Sequence, residues 1–311
     1  MSEIAVSVLN QVIIMALYIA VGFVLTKCGK VSGQGTRQMS FLLVNIVTPC
    51  VIVMAFQNGY DVSKLGQMLV AFAVSIGFHI VAIPLMHIAF AGAKDKKRSV
   101  VSKFCAVYSN CGFMGIPLLQ AALGDTGVFI GSAYLAVFNV FVWTHGYSSF
   151  NKGNGDFSYT KAVLNPGVVG VALAAVIVLC NIKLPPVIYS AVNGMSALNT
   201  PVAMILLGIY LGESKLLETL KRADTYIVCV LRLVLLPLIT VLIMAALSID
   251  TEVAVTIALS ASCPCAAISA IFAAQFDKDS AYASAVVALS TLLSLVTLPI
   301  VSHLSTMILM K

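Results

Sequence analysis

The 311-residue sequence is 60% hydrophobic and only 10% charged, with a mean hydropathy of +1.03. This composition excludes a soluble globular domain. The formal net charge of +6 does not indicate a nucleic-acid partner, because the basic residues lie between apolar segments. We therefore predict an all-α polytopic protein whose main surroundings are a lipid bilayer, since backbone polar groups in lipid must be satisfied internally.

Ten apolar segments are long enough to cross the membrane. About 30 Å of hydrocarbon requires roughly 20 apolar residues in a helix. The predicted transmembrane helices lie at about 4–26, 37–57, 66–91, 102–121, 127–147, 161–181, 187–211, 223–247, 253–275 and 281–309. The first is interpreted as a retained helix rather than a signal peptide, because it begins with Glu3 and lacks a cleavage pattern.

The connections between these segments alternate in charge. Fourteen Lys and Arg residues lie on one side, which we call the basic face, and three lie on the opposite face. The basic-face residues are Lys27, Lys30, Arg37, Lys94, Lys96, Lys97, Arg98, Lys103, Lys152, Lys161, Lys215, Lys221, Arg222 and Lys278. The positive-inside rule places this face in the cytoplasm. We expect a multi-pass protein of the plasma (inner) membrane with both termini extracytoplasmic.

The fourth segment contains the stretch Ser109-Asn-Cys-Gly-Phe-Met-Gly-Ile-Pro117. Gly115 and Pro117 do not suit a continuous helix, because glycine is weak in helix interiors and proline removes a backbone N–H. Freed backbone groups at bilayer depth are tolerated where they are buried in protein or line a wet cavity. The stretch therefore predicts a broken helix and a candidate binding site.

The second half of the chain repeats the first at an offset of 152 residues. Thr48-Pro49 aligns with Thr200-Pro201, and Cys111 aligns with Cys263. We predict a first repeat at 1–150, a cytoplasmic linker at 151–160 and a second repeat at 161–311. Five helices in each half make the repeats inverted, with broken helices 4 and 9 as a symmetry pair. The ninth helix is predicted to break at Pro264, and inverted repeats with paired breaks are typical of secondary transporters.

The side chains at the two breaks favour an anionic ligand. All twelve acidic residues lie in loops or at the ends of segments, whereas broken helices direct N–H donors and partial positive charge toward the centre. The candidate substrate-binding residues are Ser109, Asn110, Cys111, Gly112, Ser262, Cys263, Pro264 and Arg232. Further polar residues that could line the site are Asn45, Asn139 and His79. We predict no metal and no cofactor, because Cys263-Pro264-Cys265 is too tight for zinc and the cysteines suit buried thiols.

Three of these residues have alternative roles. Asn110 binds the anion, satisfies the backbone of its own broken helix, or does both. Arg232 binds a carboxylate or lines an entry vestibule; alternatively it snorkels toward the interface or bonds carbonyls at the helix breaks. His79 is an interhelical hydrogen-bonding group or a proton carrier.

Several segments resemble the auxin efflux carrier family in its bacterial permease branch (malate/malonate permease-like). They are NIVTPCVIVMAF, SNCGFMGIPLLQAALGDTGVFIGSAYLAVFNVFVWTHGY, RLVLLPLITVL and STLLSLVTLPIV. Asn110-Cys111-Gly112 matches the asparagine–x–glycine motif of the plant carriers, whose long cytoplasmic loop this chain lacks. The resemblance implies a fold similar to that of the bile-acid and sodium/proton transporters. It also implies a scaffold of helices 1, 2, 6 and 7, a transport domain of helices 3–5 and 8–10, and a homodimer formed through the scaffold.

The predicted function is a permease or efflux carrier that moves a small organic anion by alternating access. The resemblance implies a carboxylate such as malate, malonate or an auxin-like acid. The alternatives are a sodium- or proton-coupled symporter of bile-acid-like solutes and a non-transporting membrane sensor with the same fold. An enzyme is not expected, because no segment carries a nucleophile with an adjacent base or a His/Asp metal pair.

Overall fold

The computed structural model describes residues 3–59, 62–151, 182–214 and 222–309, with scattered positions between 169 and 180. Seven helical segments within these residues are long and apolar enough to cross a membrane. The prediction of a polytopic, all-α membrane protein is thereby confirmed. Most of the predicted linker 151–160 and sixth helix 161–181 lies outside the described residues.

The helices follow the predicted apolar segments closely. They are α1 (Glu3–Lys27), α2 (Gly33–Leu42), α3 (Thr48–Gly59), α4 (Leu65–Ala89), α5 (Lys96–Val107), α6 (Ile116–Phe141), α7 (Tyr147–Asn151), α8 (Pro186–Ala197), α9 (Asn199–Glu213), α10 (Ala223–Val230), α11 (Leu236–Ala246), α12 (Thr251–Ser262), α13 (Ile268–Gln275) and α14 (Ser280–Leu309). Short π-helical turns join α2 to α3, precede α6, join α6 to α7, and join α10 to α11.

Three of these π-turns end two residues before a proline, at Pro49, Pro117 and Pro237. Proline cannot donate a hydrogen bond, and its ring clashes with the carbonyl one turn earlier. The helix therefore widens just before the proline. In the turn at Cys111–Gly115, for example, the N–H of Ile116 bonds the carbonyl of Cys111, five residues earlier. These prolines thus widen their helices without interrupting them.

A sharp bend at Gly124 divides α6 into two helical parts. Gly124 has φ of 63° and ψ of −154°, a backbone conformation that favours glycine. The bend lies between the predicted fourth helix, 102–121, and the predicted fifth helix, 127–147. The part of α6 before Gly124 therefore belongs to the fourth predicted helix, and the part after it belongs to the fifth.

Two non-helical segments, 108–110 and 263–267, meet inside the protein. We call this pair of segments the crossover. They run antiparallel, with a β-bridge between Ser109 and Cys265. The Asn110 N–H donates to the Pro264 carbonyl at 2.7 Å, and the Ala266 N–H donates to the Tyr108 carbonyl at 2.9 Å. The two breaks therefore satisfy each other's backbone groups, as lipid surroundings demand.

The break in the fourth segment lies earlier than its glycine and proline suggest. Gly115 ends the π-turn and Pro117 lies in the first turn of α6, so both are helical. The prediction that these two residues form the interruption is wrong. The reason is that the π-turn widens the helix just before Pro117, so the proline ring is accommodated without interrupting the helix.

The crossover lies among the most deeply buried helices. Every residue of α12 from Val253 to Ser262 is buried, as is most of α6 beyond Gly127. At the side of the bundle, α1 and α9 approach so closely that a Cβ on Gly22 or Gly208 would lie 2.0 Å from a backbone oxygen of the other helix. Large apolar side chains such as Leu17 and Ile88 are exposed on the outer surface, as suits contact with lipid.

Candidate functional site

The crossover joins four helix termini. Two helices finish at it, α5 at Val107 and α12 at Ser262, and we call these the half-helix ends. Two helices begin at it, one with the π-turn at Cys111 and one with α13 at Ile268, and we call these the half-helix starts. Unpaired carbonyls and partial negative charge belong to the ends, whereas unpaired N–H groups and partial positive charge belong to the starts.

A small pocket of about 70 Å³ lies against both half-helix starts. Asn110, Gly112 and Phe113 line it from the first break, and 266–268 line it from the second. The other lining residues come from α6, the neighbouring π-turns, α3 and α13; they are Val44, Thr48, Leu135, Phe138, Asn139, Trp143 and Ile271. We call this the crossover pocket. The two half-helix starts direct partial positive charge toward it.

Asn110 is the polar side chain nearest to the break itself. Its residue is only 4% exposed, and its backbone carbonyl accepts the N–H groups of Met114 and Gly115 at 3.0 and 3.1 Å. The side chain caps neither helix, and its Nδ2 has no hydrogen-bond partner among the described residues. A buried donor without a partner is energetically unfavourable. Among the described residues, the Asn110 amide N–H groups are therefore not used to satisfy the backbone of the broken helix.

A larger cavity of about 560 Å³ leads from the crossover pocket to the basic face. The cavity and the crossover pocket share four lining residues, namely Val44, Trp143, Ile268 and Ile271. Val44 precedes Asn45 in the π-turn. Residues at helix termini on the basic face line its outer part, among them Gly33, Glu213, Gln275 and Ser280, together with Arg37 of α2. Asn45 lines this outer cavity, and its Nδ2 donates to the carbonyl of Phe41 at 2.9 Å.

A third cavity near the opposite face has Asn199 in its lining. The third cavity measures about 200 Å³ and is lined by Asn199 together with Pro117, Gln120 and Asp125. The Asn199 Nδ2 donates at 3.3 Å to the carbonyl of Gly112, which lines the crossover pocket. The start of α9 thus contacts the π-turn that follows the first break.

Arg232 lies against the half-helix ends. The residue is completely buried, and its Nη1 donates to the carbonyls of Ala106 and Val107 at 3.2 and 2.6 Å. Its Nη2 donates to the carbonyl of Ala261, and its guanidinium carbon lies 5.8 Å from the centre of the Phe78 ring. This is the alternative in which Arg232 bonds carbonyls at the helix breaks. Arg232 does not line the crossover pocket.

The remaining predicted site residues face their own helices or the interior. Ser262 donates to the Ala258 carbonyl at 2.5 Å, and Ser109 donates to the Tyr134 hydroxyl at 3.4 Å. Cys111 and Cys263 are buried on either side of Gly115, outside the lining of the crossover pocket. His79 is buried and stacks on Phe141, with Nδ1 2.8 Å from the Ser75 carbonyl. Among the described residues, no group of three or more His, Cys, Asp or Glu is placed to hold a metal ion.

The structure thus brings Asn110, Gly112 and Asn139 together and adds residues that the sequence did not single out. Asn139 lines the pocket, with its Nδ2 bonded to the Leu135 carbonyl at 2.9 Å. Thr48 and Asn199 are the main additions among polar residues. A signal for both was present, because Thr48-Pro49 and Thr200-Pro201 align in the repeat and Asn199 directly precedes the latter.

Comparison with known proteins identifies the family. The model of the membrane transport protein family matches residues 7–302, nearly the whole chain. The chain belongs to this family, the auxin efflux carriers. A relative from Methanothermobacter thermautotrophicus, described as an uncharacterized transporter, is 25% identical over 299 residues, which cover 94% of this chain and 96% of the relative. The resemblance found in the sequence is confirmed, and this auxin efflux carrier family member is a multi-pass membrane protein of a transporter family.

Proposed function

We propose that this chain is a secondary transporter for a small organic anion, with a carboxylate such as malate, malonate or an auxin-like acid as substrate. The observation that carries the proposal is the unpartnered, buried Asn110 amide in a pocket against both half-helix starts. A carboxylate would accept hydrogen bonds from the Asn110 Nδ2 and from free backbone N–H groups. The partial positive charge of the two starts favours the same ligand.

We further propose the architecture that this mechanism needs. Ten helices form two inverted repeats of five, with helices 1, 2, 6 and 7 as the scaffold and helices 3–5 and 8–10 as the transport domain. The antiparallel pairing of 108–110 with 263–267 supports this arrangement, as does the 152-residue offset in the sequence. Two copies would associate through the scaffold. Transport would proceed by alternating access, with the transport domain moving against the scaffold.

The proposed orientation has the basic face in the cytoplasm of the plasma membrane and both termini outside. In that orientation, the 560 Å³ cavity opens inward, and the smaller cavity beyond Asn199 lies on the outer side. An anion leaving a cell with a potential of −100 mV gains about 2.3 kcal/mol per charge. Export would therefore be driven by the membrane potential alone.

Flux through proteoliposomes tests the proposal. The purified protein is reconstituted with internal labelled malate or malonate, and an outside-positive potential is set with potassium and valinomycin. We expect efflux that accelerates with the potential and that Asn110→Ala slows strongly. Liposomes whose protein binds these anions without moving them would contradict the proposal and favour a sensor. Uptake that disappears when choline replaces sodium would instead favour the sodium-coupled symporter.

A further inference from the structure

A groove of about 350 Å³ between α4 and α11 takes no part in the site described above. Gly77 and Phe78 line it from α4, and Ile243 lines it from α11. Among the described residues, every side chain in its lining is apolar except that of Thr240, and the Thr240 hydroxyl donates to the Leu236 carbonyl at 2.7 Å. The groove therefore suits an apolar occupant rather than a polar solute.

The groove has the position and the length of one lipid chain. Leu236 lies near the middle of the span Ala223–Ala246, and Leu247 lies directly after that span, at the face opposite the basic face. The chain from Leu236 to Leu247 covers about 16 Å at helical rise, and the hydrocarbon of one leaflet is about 15 Å thick. The lining residues Val81 and Ile243 are exposed, so the groove opens at the surface that lipid surrounds.

Gly77 leaves the groove deep. A Cβ added there would have no atom within 4 Å, so no neighbouring atom excludes a larger side chain, although glycine weakens a helix interior. Phe78, the next residue in the lining, is buried, and its ring centre lies 5.8 Å from the guanidinium carbon of Arg232. An occupant of the groove would therefore extend the packing from the surface to the ring that covers Arg232.

A polar cluster closes the groove at the face opposite the basic face. Gln67 lies seven residues before the groove residue Val74, and hence on the same side of α4. Its Nε2 donates to Asp250 at 2.9 Å and to Glu252 at 3.3 Å. Lys64 donates to Glu252 at 2.6 Å. The cluster therefore bridges the start of α4 and the loop that follows α11, directly beyond the groove.

The charges and acceptors of this cluster favour a positively charged donor. Asp250 and Glu252 bring two negative charges, against one positive charge from Lys64. The Gln67 Oε1 is buried and has no hydrogen-bond partner among the described residues, which is unfavourable for an acceptor. A primary ammonium group carries a positive charge and three N–H donors. It would satisfy the Gln67 acceptor and balance the carboxylates together.

We propose that the groove and the cluster together bind one phospholipid with a primary-amine headgroup, of the phosphatidylethanolamine class. One acyl chain lies in the groove, and the headgroup ammonium donates to the Gln67 Oε1 and to Asp250. A choline headgroup has no N–H to donate, and a glycerol headgroup leaves the lipid with a net charge of the same sign as the carboxylates. The lipid is a structural partner of α4 and α11, whatever solute the protein transports.

Thermal unfolding of the purified, delipidated full-length protein in detergent tests the headgroup. The dioleoyl lipids with ethanolamine, choline and glycerol headgroups are added at equal mole fraction to the micelles. We expect the ethanolamine lipid to raise the Tm by about 3 °C or more beyond the choline lipid, and the glycerol lipid to raise it least. Equal shifts for all three, or the largest shift with the glycerol lipid, overturn the proposal.

Gly77→Leu tests the groove by filling it with a side chain. The matched control is Gly194→Leu, since Gly194 is also an exposed glycine within a helix whose Cβ would meet no atom within 4 Å, and it does not line the groove. We expect Gly77→Leu to lose most of the Tm shift with every lipid and Gly194→Leu to keep it. A full shift in Gly77→Leu contradicts the proposal. So does a dimer that Gly77→Leu converts to a monomer in light scattering, because the groove would then hold a second copy.

Gln67→Met keeps the test decisive if Gly77→Leu does not fold. We expect this variant to lose the difference between ethanolamine and choline lipids while keeping the shift that they share. Gln120→Met is its control, because the Gln120 amide also donates to a carboxylate, that of Asp125, away from the groove. An ethanolamine preference that survives in Gln67→Met overturns the assignment of the headgroup to this cluster.

Discussion

The crossover has two sides that differ in charge and in access. On one side, the half-helix ends are closed by Arg232, which is fully buried and donates to carbonyls of both helices. On the other side, the half-helix starts face the crossover pocket, where the Asn110 amide lacks a partner among the described residues. The negative helix termini are neutralised by a side chain of the protein, whereas the positive termini face a pocket, where we propose that the substrate binds.

This difference indicates how a broken helix can be stable and still bind substrate. Four helix termini in a membrane interior would leave many backbone groups unsatisfied. The two breaks bond each other, and Arg232 bonds the half-helix ends, so most of that cost is met inside the protein. The half-helix starts retain donors next to the crossover pocket, which shares lining residues with the larger cavity. Variants on either side should therefore affect different properties.

The largest effect is expected from Arg232→Met, which keeps an unbranched side chain and removes its charge. Three carbonyls lose their donors, and two negative helix ends lose their counter-charge. We expect a loss of about 3 kcal/mol or more in the free energy of unfolding. Thermal or denaturant unfolding in detergent measures it, with the neighbouring Leu235→Met as control because Leu235 is partly exposed. Equal stability of the two variants would show that the ends do not need the guanidinium.

Asn110→Ala should show the opposite pattern. The Asn110 side chain makes no hydrogen bond to the described protein, so its loss should leave the Tm nearly unchanged. Affinity for the transported anion should fall about tenfold or more, because a donor to the carboxylate disappears. Binding is measured by calorimetry or by the ligand-induced shift in Tm.

Asn139→Ala is the matched control for this prediction. Asn139 also lines the crossover pocket, but its amide already bonds the Leu135 carbonyl within its own helix. We therefore expect a smaller loss of affinity than for Asn110→Ala. If Asn139→Ala weakens binding more, the anion lies nearer to α6 than to the break.

The sequence predicts the half-helix starts better than the half-helix ends. Glycine, proline and a polar amide within an apolar segment indicated a break, and the absence of acidic residues from the spans indicated an anion. The position of the break was missed by a few residues, since the π-turn before Pro117 keeps that proline helical. Local sequence does not show such widening, because it depends on which carbonyls find other partners.

The role of Arg232 could be predicted only as one of several alternatives. Its partners lie on α5 and α12, far away in sequence, and their approach depends on how three helices pack. The same limitation applies to Asn199, which reaches the crossover from the start of α9. Burial and helix periodicity indicate that such side chains point inward, but not which backbone atom they meet.

Asn199→Ala should have an intermediate effect. Its amide is a hydrogen-bond donor to the Gly112 carbonyl, and losing it should destabilise the described conformation by about 1 kcal/mol. Thermal unfolding measures the loss. Asn193→Ala is the control, since Asn193 lines the same outer cavity and is exposed. Identical Tm values for both variants would argue against a contact between α9 and the break.

The smallest effect is expected far from the crossover, at the ion pairs of the basic face. Arg98 donates to Asp279 at 2.6 Å, and the Tyr282 N–H donates to the same carboxylate at 3.0 Å. Partial burial alone would raise the pKa of Asp279, but these hydrogen bonds and the positive charge of Arg98 outweigh it and hold the pKa below its ordinary value. The resulting stabilisation is fully present above the carboxyl's unfolded pKa and is lost as pH falls through the lower, folded one.

Asp279→Asn should therefore lower stability by about 0.5 kcal/mol at pH 7 and make no difference at a pH below the folded pKa, where the carboxyl is protonated. Melting curves of wild type and variant across an acid titration measure this convergence. The exposed ion pair between Lys97 and Asp277 provides a control. Because the Asp277 carboxylate is solvated, Asp277→Asn should change stability less than Asp279→Asn. A difference between wild type and Asp279→Asn that persists in acid would trace the effect to the lost packing or Tyr282 contact rather than to the charge.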